Sequence, residues 1–180
     1  MFGIFRRRNR AFIAELAKAA AEGAGMAQIR RAMASVGVLL GSNESATEYA
    51  ARAASEIAQQ IARRAGVEKD AASDDDLFTG GLFVFVMAGH LSYVLEAEFE
   101  QAASLGLLLF LTDNGLDLRS AAAWNDPVID AFNARSGPGG KYVLAVGQNF
   151  VEWTEAPTEQ QMDTLTRLYD LGRKNWVASS

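Results

Sequence analysis

The sequence predicts an all-α, single-domain bundle of six or seven helices packed around one buried apolar helix. Three observations carry that expectation. Alanine is abundant and only 3 of 180 residues are proline, a balance that favours helix, because Ala forms helices best and Pro breaks them. Apolar side chains recur at steps of three and four along much of the chain, which places them on one helical face. Residues 82–95 are apolar on nearly every side, as suits a helix enclosed by others. The length fits one domain spanning residues 1–180, and 49% hydrophobic content supports a sizeable core without disulfides. Cysteine is absent, which fits a reducing compartment and a cytoplasmic protein.

Residues 1–8 read as a disordered basic tip, an apolar start followed by Arg6, Arg7 and Arg8. A first helix is expected from about Asn9 to Glu22, with Phe12, Ile13, Leu16, Ala19 and Ala20 on one side and Gly23 and Gly25 ending it. A second is expected over 26–40, where Ile29, Met33, Val36 and Leu40 form one stripe that Gly41 stops. Ser45 and Glu48 have the spacing of a capping box, the reciprocal cap in which side chain and backbone of each residue pair with the other. They open a third helix lined by Tyr49, Ala53, Ile57 and Ile61 up to about Arg64.

Residues 67–76 are polar, acidic and aperiodic, which predicts a mobile loop whose last residues, Ser73 to Asp76, cap the next helix. That central helix is expected over 82–101, with Glu96, Glu98 and Glu100 at its emerging end. Val84, Phe85 and Val86 would also suit a buried strand, but the length of the run decides for helix. Residues 102–111 either continue it past a kink or start anew, and residues 112–115 form a turn. Asp126 and Pro127 read as the cap and first position of a helix with Val128, Ile129 and Phe132 inside. Residues 136–140 read as a loop. Residues 142–153 are ambiguous, because Tyr142, Leu144 and Val146 alternate as in a short strand or hairpin, yet a helix is also possible. Thr158 and Gln161 form a second capping box, and Met162, Leu165, Tyr169, Gly172 and Trp176 give the last helix its period.

The apolar run of residues 82–95 falls short of the roughly 20 residues that cross a bilayer. Glu15, Lys18 and Glu22 interrupt what would be the apolar part of a signal peptide. The net charge of −5 argues against nucleic-acid binding. It is unevenly placed: residues 66–100 hold eight acids against Lys69, whereas residues 1–10 hold four arginines and no acid. Phe2, Phe5, Arg6, Arg7, Arg8 and Arg10 could touch an anionic membrane weakly, but the acidic remainder repels the same surface. The alternative is a terminus that stays solvated or folds back on the chain's own acidic patch.

Reactive side chains are scarce. Residues 136–141 carry glycines and Lys141, yet the phosphate-loop pattern would need Gly in place of Arg135 and Ser or Thr in place of Tyr142. Glu96 and Glu100 share a helical face without the Glu-x-x-His pair of di-metal bundles, since Met87 stands three before His90. No G-x-S-x-G elbow occurs, and His90 is the one histidine. No metal or cofactor is therefore expected, and the balance is against an enzyme. Three functions remain open. The favoured one is a non-enzymatic interaction or regulatory protein with a protein partner, for which Trp124, Trp153 and Trp176 would be anchors if exposed. The second is a bundle that holds a small apolar ligand or haem near His90, with Met87 and Tyr93 beside it. The third is a hydrolase working through Asp or Glu alone.

Overall fold

The computed structural model describes residues 26–134 and 137–176. The predicted first helix, the tip at residues 1–8 and the membrane-contact residues Phe2, Phe5, Arg6, Arg7, Arg8 and Arg10 lie outside them. Eight helices occur among the described residues: α1 (Met26–Ser35), α2 (Ala46–Arg64), α3 (Asp74–Val94), α4 (Phe99–Asp113), α5 (Leu118–Ala123), α6 (Asn125–Asn133), α7 (Gly137–Glu155) and α8 (Glu159–Trp176). Trp124 links α5 to α6 with scarcely a break, so the count is seven if that bent pair is taken as one. The described residues contain no strand.

The central helix begins earlier and ends sooner than predicted. Ser73 accepts from the Asp76 amide at 3.2 Å while the Asp76 carboxylate accepts from the Ser73 amide at 3.0 Å, a reciprocal cap. Asp74, Asp75 and Asp76 thus form the first turn, where the helix dipole favours negative charge. The predicted loop is shortened accordingly. From Leu82 to Ser92 every residue of α3 is buried, because α2, α4, α6, α7 and α8 all pack on it. At 21 residues α3 is long and apolar enough to cross a membrane by length and composition alone; 83% of its most apolar window is enclosed by the protein, as in a core helix.

Four helices end in the same way. A residue in the left-handed conformation follows the last turn, and the next amide reaches five residues back, the Schellman arrangement. Gly37 (φ 80°) does this for α1, with Val38 N to Met33 O at 2.9 Å; Gly66 (φ 81°) does it for α2 and Gly115 (φ 90°) for α4. Glu96 does it for α3 at φ 53°, with Ala97 N to Ser92 O at 2.8 Å. This explains two departures from expectation. The helix α1 stops at Ser35 rather than Leu40, and the acidic Glu96, Glu98 and Glu100 sit in a turn and the start of α4 rather than on the end of the central helix.

One open reading is resolved and two others are corrected. Residues 142–153 are helical throughout, since Val143, Val146, Phe150 and Trp153 bury at steps of three and four while Leu144 stays exposed. The helix α7 already starts at Gly137, where a loop was expected; Pro138 is tolerated because a first-turn residue has no intrahelical N–H bond to lose. Asp126 does not cap α6: Trp124 holds that position, without a side-chain bond, and Pro127 lies inside the first turn.

Small residues bring α2, α3 and α4 close together. A methyl group added at Gly106 would lie 2.9 Å from the Ala51 carbonyl oxygen, and one at Gly80 would overlap the Phe110 ring. The last helix closes the bundle over the start of α3. Tyr169 donates to the Asp76 carbonyl at 2.7 Å, and Arg173 pairs with the Asp76 carboxylate at 3.4 Å while donating to Ala65 O at 2.9 Å.

Candidate functional site

The structure separates the three residues proposed around the lone histidine. Met87 and His90 are buried, whereas Tyr93 is 46% exposed. His90 Nε2 lies 3.3 Å from Thr154 Oγ1. The Thr154 hydroxyl spends its only proton on Val151 O at 2.7 Å, so His90 is the donor and carries its hydrogen on Nε2. Nδ1 then holds a buried lone pair with no partner. The ring meets Phe150 edge-on with centroids 5.5 Å apart. Burial pushes the imidazole pKa down to about 4, so the ring is neutral at pH 7. No group of three or more His, Asp or Glu residues that could hold a metal occurs among the described residues.

A concave site is found elsewhere, between α2, α4 and the 36–45 segment. It has a volume of about 700 Å³ and is lined by Leu39, Glu44, Glu48, Arg52, Glu56, Leu105 and Leu109, among others. It lies open to solvent, a shallow groove rather than an enclosed cavity. Its wall is a loop fastened to α2 by side chains projecting from one face of that helix. Gln60 Nε2 donates to Val36 O at 3.0 Å, Tyr49 Oη to Val38 O at 3.4 Å and Arg52 Nη2 to Leu39 O at 2.6 Å. The capping box predicted at Ser45 and Glu48 is present and fixes where the loop joins α2.

Arg52 is the hub of the rim. It grips Glu44 with two bonds of 2.7 Å, takes Glu56 at 2.9 Å and lies over the Tyr49 ring at 5.6 Å. The bonds from Arg52 hold the Glu44 carboxyl below its ordinary pKa, and Glu44 also accepts from the Gly41 amide. Bonds from Ser45 lower Glu48 in the same way. Both are thus fixed anions, unlike the raised carboxyl that a general acid requires. With one guanidinium among three carboxylates, the rim is net acidic.

The floor is apolar. Leu105 and Leu109, four apart on α4, share the face of that helix that no other described helix covers; Leu105 is 36% exposed, and Leu39 on the opposite wall is 65% exposed. The backbone amide of Glu98 donates to Thr47 Oγ1 at 3.2 Å, which brings the turn bearing Glu96, Glu98 and Glu100 beside the same end of α2. Trp153, one of the suggested anchors, is buried, and Trp124 is partly buried against the core.

Sequence reasoning missed the groove residues. Leu40 and its neighbours read as the end of a helical stripe, and nothing local joins Arg52 to Glu44 or leaves one face of α4 bare. The available signal was the i, i+4 pair Leu105 and Leu109 within an apolar run, residues 105–111, that leaves no polar side chain to cover it. The chain matches no family model, no curated protein and no solved structure.

Proposed function

We propose that the protein is a non-enzymatic interaction or regulatory protein, and that it binds an amphipathic helix of a partner protein in the groove between α2 and α4. The observation that supports this most is the pairing of exposed Leu39 and Leu105 and half-buried Leu109 with a rim of Glu44, Glu48 and Glu56 on walls held by Arg52. A helix laid in such a groove would place apolar anchors on the leucines at helical spacing. Its flanking Lys or Arg would meet the carboxylates, which steer association and select for a basic segment. The same acidic rim and the net charge of −5 disfavour nucleic acid. The lack of cysteine supports a cytoplasmic setting.

The test is calorimetric titration of the full chain with a basic Leu/Lys peptide of about four helical turns. A scrambled peptide of the same composition, lacking the helical period, is the control. Leu105→Glu and Leu109→Glu should each weaken binding of the amphipathic peptide about tenfold or more, while Leu171→Glu, on an exposed site of α8, should not. Equal affinity for both peptides, or equal loss in all three variants, would remove the groove from consideration.

A further inference from the structure

We infer that the partner helix has a fixed direction: it lies antiparallel to α2 and α4, with its basic residues in its last two turns. This rests on the reading of the groove as a binding site for a basic amphipathic helix. The two walls run the same way. Near their starts the Glu98 amide donates to Thr47 Oγ1 at 3.2 Å. Midway, a methyl group at Gly106 would meet the Ala51 carbonyl oxygen. Further along, Gln59 Nε2 donates to Phe110 O at 3.1 Å. The N-termini of α2 and α4 therefore share one end of the groove.

Negative charge gathers at that end. Glu44 and Glu48 flank the start of α2, and Glu96, Glu98 and Glu100 are exposed around the start of α4. Among the described residues Arg52 is the one basic side chain that lines the groove, and it is already paired with Glu44 and Glu56. The opposite end is balanced. The face of α2 that carries Glu48, Arg52 and Glu56 continues through Gln60 to exposed Arg63, and α4 ends at Asp113. The Lys or Arg residues of a partner are therefore drawn to the end where α2 and α4 begin. The backbone acts in the same sense. A helix carries about half a positive charge at its N-terminus and about half a negative one at its C-terminus, so a third helix packs best with its C-terminus beside the N-termini of α2 and α4. Cations in its last turns are favoured by its own dipole as well. The two half charges of α2 and α4 are small beside five carboxylates and leave that end acidic. Leu105 stands seven residues after Glu98, about 10 Å or two turns along α4. The partner's apolar anchors, seated on Leu39, Leu105 and Leu109, are thus followed within two turns by Lys or Arg.

The test uses the full chain and two Leu/Lys peptides of about four turns with the same composition and the same apolar stripe. One gathers its lysines in the C-terminal half, the other in the N-terminal half. By calorimetry the first should bind about tenfold more tightly. Lysine near a C-terminus also favours the isolated helix, so the comparison is repeated in a chain carrying Glu98→Lys and Glu100→Lys, two exposed positions. The peptides are unchanged there, and the preference should fall to about twofold or less. Direction is read separately. The chain has no native cysteine, so a nitroxide is attached through Glu100→Cys in one sample and through Arg63→Cys in another. The label at position 100 should broaden the resonances of the peptide's C-terminal residues, and the label at position 63 those of its N-terminal residues. The reverse pattern, equal broadening at both ends, or a preference indifferent to the two lysines overturns the inference. If the two peptides bind alike and Leu105→Glu weakens both, the direction falls and the groove reading stands. If neither peptide binds, or Leu105→Glu changes nothing, the groove reading falls and takes the direction with it.

Discussion

His90 and Thr154, 64 residues apart, meet in the core at 3.3 Å with the imidazole as donor, because the threonine proton already belongs to Val151 O. The ring is held neutral, and a proton on Nδ1 would find no acceptor.

Folding therefore depresses the pKa of His90 from 6.5 to about 4. The unfolded chain binds the extra proton first, so stability rises with pH across this window and is lost as the pH falls from 6.5 toward 4. The contribution is roughly 3 kcal/mol when fully expressed. Denaturant midpoints of the parent should drop between pH 7 and pH 4.5 by more than those of His90→Gln, which keeps a donor toward Thr154 without the titration. Parallel curves for the two proteins would contradict this.

Arg52→Ala should loosen the groove wall. It takes the guanidinium from the Glu44 carboxylate, which keeps only the Gly41 amide, and leaves the Leu39 carbonyl without its donor. Because the pair is partly exposed (32% and 15% for the two side chains), the global cost is about 1 kcal/mol. The local effect is larger: hydrogen exchange of the amides at residues 38–41 should speed up while those of α3 do not change. Arg52→Lys should behave like Arg52→Ala in exchange, because an ammonium cannot supply the two-pronged grip on Glu44.

Glu96→Gly should stabilise the protein. Glu96 holds the left-handed position that Gly37, Gly66 and Gly115 hold at the ends of the other helices. Relief of that conformation is worth about 1 kcal/mol, reduced by the greater freedom of glycine in the unfolded chain. A lower thermal midpoint in this variant would show that the Glu96 side chain makes up for its backbone.

Gly80→Ala should destabilise by roughly 1–3 kcal/mol through overpacking against Phe110, which is itself buried. Adding Phe110→Leu should restore part of the loss, since it empties the space the new methyl needs. A double variant that loses the full sum of both single effects would place the strain elsewhere.

What the sequence reveals best is chemistry that acts over three or four residues. The caps at Ser45 with Glu48, Ser73 with Asp76 and Thr158 with Gln161 all form, because each involves a side chain and a backbone amide held together by the helix itself. The enclosure of residues 82–92 was legible too, since no face of that helix is polar, whereas the end of the expected run emerges, with Tyr93 exposed. The end of α1 was not: Val36 and Leu40 continue the stripe, and only the pairing of left-handed Gly37 with buried Val38 marks the stop. Nor was helix α7, whose Tyr142, Leu144 and Val146 alternate while its burial follows Val143, Val146 and Phe150. The groove was least legible. Arg52 reaches back eight residues to Glu44 and thirteen to Leu39, and the bare face of α4 exists only once α2 and α3 have covered the others.

The closure of α3 by Tyr169 and Arg173 sets an order of events in biosynthesis. A ribosome delivers α8 some eighty residues after Asp76, and until then a span that hydrocarbon would accept lacks part of its cover. Nascent chains stalled before residue 159 should be the ones that aggregate, partition to lipid or recruit chaperones.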